Sequence, residues 1–258
     1  MSFSPDRLAA FLEGFPRPDR YLVALSGGLD SVVLLHALAG LRPILGVELA
    51  AAHVHHGIQA DADAWAIFCQ GFCDRLGVSL RRLWVKVSPG RGQSLEACAR
   101  DARYKALTEI MVPGDVLLTA QHRDDQAETL LLRLLRGSGP SGLSAMSGDI
   151  PLGPGRLRRP LLGFDRASLE TYARQQDLEW VEDPSNADPR LDRSFLRQQV
   201  IPVLRTRWPA LDRTLARSAA HCAEAQALID TLARADLGPL TLSRGRVSVS
   251  GLRGLERP

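Results

Sequence analysis

The residues best suited to chemistry are six in a row, Ser26-Gly27-Gly28-Leu29-Asp30-Ser31, set between an apolar run at 21–25 and an apolar helical stretch at 32–38. A strand, a loop of this kind and a helix make a phosphate site. Glycines let the backbone approach the anion, and the helix N-terminus adds N–H donors and positive potential. Ser26 and Ser31 contribute hydroxyl donors. Asp30 cannot attract an anion itself, and a carboxylate there makes sense when it holds Mg²⁺ against phosphates. The loop lacks the Lys-Ser/Thr ending of a Walker A motif, so kinase-like γ-phosphoryl transfer is not indicated. The bland alternative, a glycine-rich turn without a ligand, suits a lone Gly-Gly better than this longer match.

A second group is acidic. Asp124, Asp125 and Glu128 sit where a strand ends and a helix begins, the side of an open α/β sheet on which ligands bind. Asp124 and Glu128 share a helix face at i and i+4, while Asp125 is turned partly away, under Thr129. The helix dipole alone would also account for acids in that first turn. His122 stands beside them, and two readings are open for it: contact with nucleotide or RNA, or a structural role. Arg193 and Arg197 are one helical turn apart. That spacing suits straddling a nucleic acid backbone, and equally suits an ion-paired face with Asp192 adjacent. Arg100 and Arg103 belong to an earlier helix, where surface solvation is the plain reading.

The elements that must hold these residues alternate. Strands are expected at 21–25, 47–54, 80–87 and 116–120, and helices at 32–38, 60–76, 94–111 and 124–136. Ser94 is the expected N-cap of the third helix, with Glu96 in its first turn. Such alternation implies a doubly wound parallel α/β sheet. A Gly/Pro/Ser-rich loop at 137–155 is long enough for a mobile lid or a functional surface. A strand at 157–162 and helices at 166–176 and 193–204 follow, with a turn at Asp183-Pro184-Ser185-Asn186. We place a boundary after residue 208, with 1–208 as the main domain and 209–258 as a partial, mostly helical element. In that element a long helix spans 211–235, and a short strand covers 247–249.

Composition excludes some classes. At 45% apolar and 24% charged residues, the chain is ordinary globular protein. No apolar run approaches a membrane span, and the N-terminus lacks a signal-peptide order, so a cytoplasmic protein without membrane attachment is expected. Cys69, Cys73, Cys98 and Cys222 form no CxxC pair; Cys69 and Cys73 read as buried thiols, and a metal site joining them to His53, His55 and His56 has the wrong spacing. Net charge is +3, and the only lysines are Lys86 and Lys105. So strong an arginine bias has two explanations, genomic base composition or phosphate recognition by the guanidinium fork.

The 26–31 loop resembles the pyrophosphatase loop of the N-type ATP pyrophosphatases, which cleave ATP between its α- and β-phosphates. Within that superfamily the chain is similar to the bacterial tRNA(Ile)-lysidine synthetases. The resembling segments are HVHHGI at 53–58, EACARDARY at 96–104, TAQHRDDQAETLLLRLLRGSGPSGLSAM at 119–146, RPLL at 159–162 and EDPSNADPRLDRSFLR at 182–197. The resemblance implies an adenine nucleotide alpha-hydrolase-like fold and use of ATP and Mg²⁺. It implies transfer of free L-lysine to the wobble cytidine of an isoleucine tRNA with an unmodified CAU anticodon, through an adenylylated base. It further implies active-site roles for Asp124, Asp125 and Glu128, phosphate neutralisation by Arg103, and tRNA contacts by His122, Arg193 and Arg197. Longer members carry C-terminal domains that grip tRNA, and about 50 residues here follow Pro209. The alternatives are a tRNA thiolase of the same superfamily, whose CxxC pair is missing, and a non-catalytic ATP-binding module.

Overall fold

A computed structural model of the chain describes residues 2–57, 61–87, 95–184, 188, 190–240 and 246–255. The expected cap Ser94, the turn residues Ser185 and Asn186, and the side chain of Glu96 lie outside the described residues. Helix α1 (Pro5–Glu13) opens the fold, capped by Ser4 with Pro5 in its first turn. Then come β1 (Arg20–Ala24), α2 (Leu29–Leu45), β2 (Glu48–His55), α3 (Ala62–Leu76), β3 (Ser79–Trp84), α4 (Leu95–Glu109), β4 (Asp115–Leu118) and α5 (Arg123–Leu135). The chain continues with α6 (Pro140–Leu143), β5 (Asp149–Leu152), β6 (Gly155–Arg158), α7 (Arg166–Gln175) and α8 (Asp192–Phe195). A π-turn (Leu196–Val200), α9 (Ile201–Arg207), α10 (Leu211–Leu240) and α11 (Val249–Arg253) complete it.

The strand order is β3-β2-β1-β4-β6-β5, parallel except for the β5–β6 pair. The β1 pleat divides the core: Tyr21, Val23 and Leu25 pack with α1, α2, α3 and α7, while Leu22 packs with Leu107 of α4 and Met111 just beyond it on the other face. Helices on both faces make the sheet doubly wound, as expected. From β1 the chain winds outward through β2 and β3, then returns to place β4 on the other side of β1. The switch point therefore lies beyond the C-terminal ends of β1 and β4, where open α/β sheets bind ligands.

Pro43 lies inside α2 and cannot donate to the carbonyl of Ala39; Arg42 Nε donates to that oxygen instead, at 3.2 Å. The segment expected as a long loop at 137–155 is folded into α6 and β5. Gln126 exchanges two buried hydrogen bonds with the Met146 backbone, both 2.9 Å, and Arg133 Nη1 donates to the carbonyls of Gly142 and Ala145. The expected strand at 157–162 starts earlier and ends at Arg158, and the one expected at 247–249 gives way to α11 from Val249. Across the boundary set after residue 208, α10 packs on α5, with Ala219 buried against Leu130 and Ala145. Among the described residues no helix is long and apolar enough to cross a membrane.

Candidate active site

The loop leaving β1 folds onto itself. The Ser31 hydroxyl donates to the Gly28 carbonyl at 2.9 Å, and its oxygen accepts from Ser26 N–H at 3.2 Å. Gly28 N–H donates to Ser26 Oγ at 3.3 Å, and Gly28 also serves as the N-cap of α2. Leu29 and Asp30 begin the helix, so their N–H groups have no intrahelical acceptor. Gly27 has φ +87°, and a Cβ there would stand 2.8 Å from Val181 Cγ2 and 3.2 Å from Cys69 Sγ. Its carbonyl accepts from Val181 N–H at 2.9 Å, which pins the loop from behind. The result is a tight anion cradle closed on its inner side.

His122, 2% exposed, ends the β4 connection and sits among carboxylates. Its Nε2 is 3.6 Å from Asp30 Oδ2 and 3.4 Å from Asp125 Oδ2, and its Nδ1 is 3.5 Å from Asp124 Oδ2. At these lengths the contacts are electrostatic rather than tightly directional. Burial opposes charge on the ring, but the three carboxylates outweigh it and raise the imidazole pKa to about 10. For Asp124 burial pushes upward, and is outweighed by His122, the Arg166 N–H and Arg205, which lower its pKa. Asp125 Oδ2 also accepts from His122 N–H at 3.0 Å, fixing the first turn of α5. The phosphate loop and the acid cluster are thus joined through one buried imidazolium. Asp30 Oδ1 is buried without a hydrogen-bond partner.

Three arginines close over the acids from the far end of the chain. Arg197 grips Glu128 with Nε at 2.6 Å from Oε1 and Nη2 at 2.9 Å from Oε2, and the same Nη2 reaches Asp125 Oδ1 at 3.2 Å. Arg193 brings Nε to 3.1 Å from Glu128 Oε2, poorly aligned for a hydrogen bond, while its Nη2 donates to Thr129 Oγ1 at 2.7 Å. Arg205 spans Asp124 at 2.6 Å and Asp212 at 2.8 Å. Pro202 has no N–H for the carbonyl four residues before it, and the preceding turn widens to a π-turn in which Ile201 N–H donates to Leu196 O. Arg197 projects from that widened turn.

The structure therefore brings together Ser26–Ser31, His122, Asp124, Asp125, Glu128, Arg193 and Arg197. One arginine, Arg197, reaches both Asp125 and Glu128. Arg193 and Arg197 turn inward onto carboxylates, the ion-paired alternative of the two readings their spacing left open. Glu128, with its side chain 1% exposed, is enclosed by these two cations; burial raises its pKa, against the opposing pull of Arg197. Arg103 lies in the neighbouring layer, where its charge helps to lower the pKa values of His53 and His56 at the end of β2, after the larger effect of burial. His53 Nδ1 donates to the Leu25 carbonyl at 2.9 Å, so it supports the loop from below. Sequence reasoning did not single out Arg205, which lies 81 residues from Asp124 and outside every motif.

A family model described as the PP-loop domain matches residues 4–204. The chain is 51% identical over 226 residues to a tRNA(Ile)-lysidine synthase of Methylococcus capsulatus, covering 88% of this chain and 52% of that protein. It is 51% identical over 253 residues to the tRNA(Ile)-lysidine synthase of Pseudomonas fluorescens, covering 98% and 57%. The chain thus spans about half the length of the curated relatives it matches. Among solved structures, a U34-tRNA thiolase of Methanococcus maripaludis superposes with a TM-score of 0.71 at 17% identity, over 85% of this chain and 78% of that one; the likeness is one of fold.

Proposed function

We propose, from the premise that this chain belongs to the PP-loop domain family, that it is the catalytic portion of an ATP-dependent tRNA(Ile)-lysidine synthase acting in the cytoplasm. The observation that carries this reading is about 51% identity to such synthases along nearly the whole chain. In the proposed reaction, O2 of the wobble cytidine in an unmodified CAU anticodon attacks the α-phosphorus of ATP and pyrophosphate leaves. The ε-amine of free L-lysine, having lost a proton, then attacks C2 of the base; AMP leaves with the C2–O bond broken and a C–N bond formed.

The residues suit these tasks. The N–H groups at the start of α2 and the Ser26 and Ser31 hydroxyls bind the pyrophosphate moiety, and charge developing on it is stabilised by donors already in place. The buried, unpartnered Asp30 Oδ1 fits a hard cation, so Asp30 would hold Mg²⁺, which is usually kept by one or two carboxylates together with phosphates. Mg²⁺ there would neutralise phosphate charge. His122, too buried to touch substrate, is a positioning residue that locks Asp30, Asp124 and Asp125 in one arrangement. The lysine ammonium needs a carboxylate, since an unpaired buried charge is costly. Asp125 and Asp124 are the better candidates, because Glu128 is enclosed by Arg193 and Arg197. Arg103 is assigned to neutralising phosphate from the β2 side. The thiolase alternative is less well served: Cys69 and Cys73 are buried and burial pushes both thiols up to about 12, which makes them poor nucleophiles.

The test is incubation with labelled ATP, labelled lysine and unmodified isoleucine tRNA. AMP, pyrophosphate and tRNA-bound lysine should rise together for the parent. Asp30→Asn should melt like the parent yet release almost no pyrophosphate. Normal release by the folded variant removes Asp30 from the metal role. Pyrophosphate release by the parent without lysine transfer removes the lysidine reading.

A further inference from the structure

We propose that Arg207, Trp208, Arg213 and Arg217 form an RNA-docking face that holds the backbone of the tRNA substrate beside the acid cluster. This rests on the proposed function for the identity of the RNA. The starting point is a division among the arginines of the C-terminal helices. Arg193, Arg197 and Arg205 are engaged by Asp124, Asp125, Glu128 and Asp212. Among the described residues no ion pair reaches Arg207, Arg213 or Arg217, and all three are exposed. Asp212 is the acid in the first turn of α10 and the natural neutraliser of its neighbours, but Arg205 holds it. The next turns of the helix are left with uncompensated positive charge.

Their placement gives that charge a direction. At 100° per residue, Asp212, Leu215 and Ala219 share the side of α10 that meets α5, and Ala219 is fully buried there. Ala210, Arg213, Thr214 and Arg217 lie on the opposite side at i, i+3, i+4 and i+7, and line a groove of about 450 Å³. Arg213 and Arg217 are one turn apart, roughly 6 Å along the axis, a spacing that serves neighbouring phosphates of one strand. Arginine forks suit phosphate oxygens, and such contacts fix register without reading sequence.

Trp208 supplies the second kind of contact. Its backbone is fixed, with N–H donating to Leu204 O and carbonyl accepting from Leu211 N–H, both at 2.9 Å, while its side chain stands out with the residue 58% exposed. An exposed indole carried on a fixed backbone, next in sequence to Arg207, offers the pairing that single-stranded RNA readers use: stacking on a base and charge on the backbone. The face also adjoins the site. Arg205, two residues before Arg207, links Asp124 of the acid cluster to Asp212, the immediate neighbour of Arg213.

The experiment measures binding of unmodified isoleucine tRNA to the whole chain across a salt series. For Arg213→Gln/Arg217→Gln the slope of log K against log salt should fall by about 1.4–1.8, since each phosphate contact contributes roughly 0.7–0.9. Melting temperature and ATP binding should match the parent. Trp208→Ala should weaken binding roughly ten-fold with the slope unchanged. Thr214→Arg, which adds a charge to the same groove, should raise the slope by about one, and Arg81→Gln on the edge strand β3 should do nothing. An unchanged slope in the double variant, or a loss matched equally by Arg81→Gln, overturns the proposal. So does a weaker tRNA affinity that follows a lowered melting temperature while Thr214→Arg leaves the slope alone. The outcomes separate the two readings. A parent that transfers lysine while the double variant keeps its slope refutes this face only. A parent that binds tRNA with the expected slopes but transfers no lysine refutes the synthase reading only.

Discussion

Replacing Arg197 with Met tests whether the enclosed Glu128 carboxylate depends on its clamp. Glu128 is buried and Arg197 holds both its oxygens, at 2.6 and 2.9 Å. Taking one partner from a buried pair costs about 3–5 kcal/mol, because the other charge is left in a low-dielectric site. Two features reduce that here. Arg197 keeps 36% of its side chain exposed, and Arg193 remains 3.1 Å from the same carboxylate. We therefore expect a loss of about 2–3 kcal/mol for Arg197→Met at neutral pH, read from urea unfolding. Arg197→Met/Glu128→Met removes both members and restores apolar packing, so it should lose less than the single variant. Acid should help the single variant. An unpaired Glu128 has a folded pKa raised above its unfolded value, so protonation favours the folded state, and the deficit shrinks as pH falls toward 5. Losses that simply add across the two sites, and that do not change between pH 7.5 and 5, would refute the argument.

Gly27→Ala places a side chain at φ +87° and 2.8 Å from Val181 Cγ2, so strain of about 1–2 kcal/mol plus displacement of the loop should weaken ATP binding; an affinity equal to the parent's would show that the loop adapts. Burial lowers the pKa of His56 to about 4, and also lowers those of His53 and His36. The unfolded chain thus takes up protons first below pH 6.5, and thermal stability should decline as pH falls from 6.5 toward 4, a window in which His122 is charged in both states. His56→Asn should flatten that decline, and an identical slope would assign it to other groups.

Much of the fold was legible because its signals are local. Apolar runs and helical spacing located β1 to β4 and α3 to α5 within a few residues, while α2, expected at 32–38, runs on to Leu45; the order of elements implied the parallel sheet. What was missed lacks such signals. Strand β5 is four residues long, contains Pro151 and pairs antiparallel at the sheet edge, so neither alternation nor length marks it. The 137–155 segment looked free because its Gly, Pro and Ser content is visible, whereas the side chains that tie it, Gln126 and Arg133, lie on an earlier helix. The site divided in the same way. Ser26–Ser31 and the first turn of α5 are contiguous, so residue type and spacing exposed them. The arginine partners of the acids are 65 to 81 residues away, and helical spacing could not say whether Arg193 and Arg197 face solvent or Glu128.

That division has a physical consequence for how the site comes into being. The sheet and α5 together place Asp30, Asp124 and Asp125 around one imidazolium, His122, with Glu128 one turn further along α5, a group with more negative than positive charge. Helix dipoles at the N-termini of α2 and α5 ease this only in part, since each acts within its first turn. Balance comes from Arg193, Arg197 and Arg205, all in the segment that runs from α8 to α9 after the sheet is complete. The segment is therefore a component of the acid cluster rather than a connector. Arg205 carries the balance one step further, to Asp212 and the first turn of α10. An event that pulls on that turn would bear on Asp124, two ion pairs away, because both acids hold the side chain of Arg205.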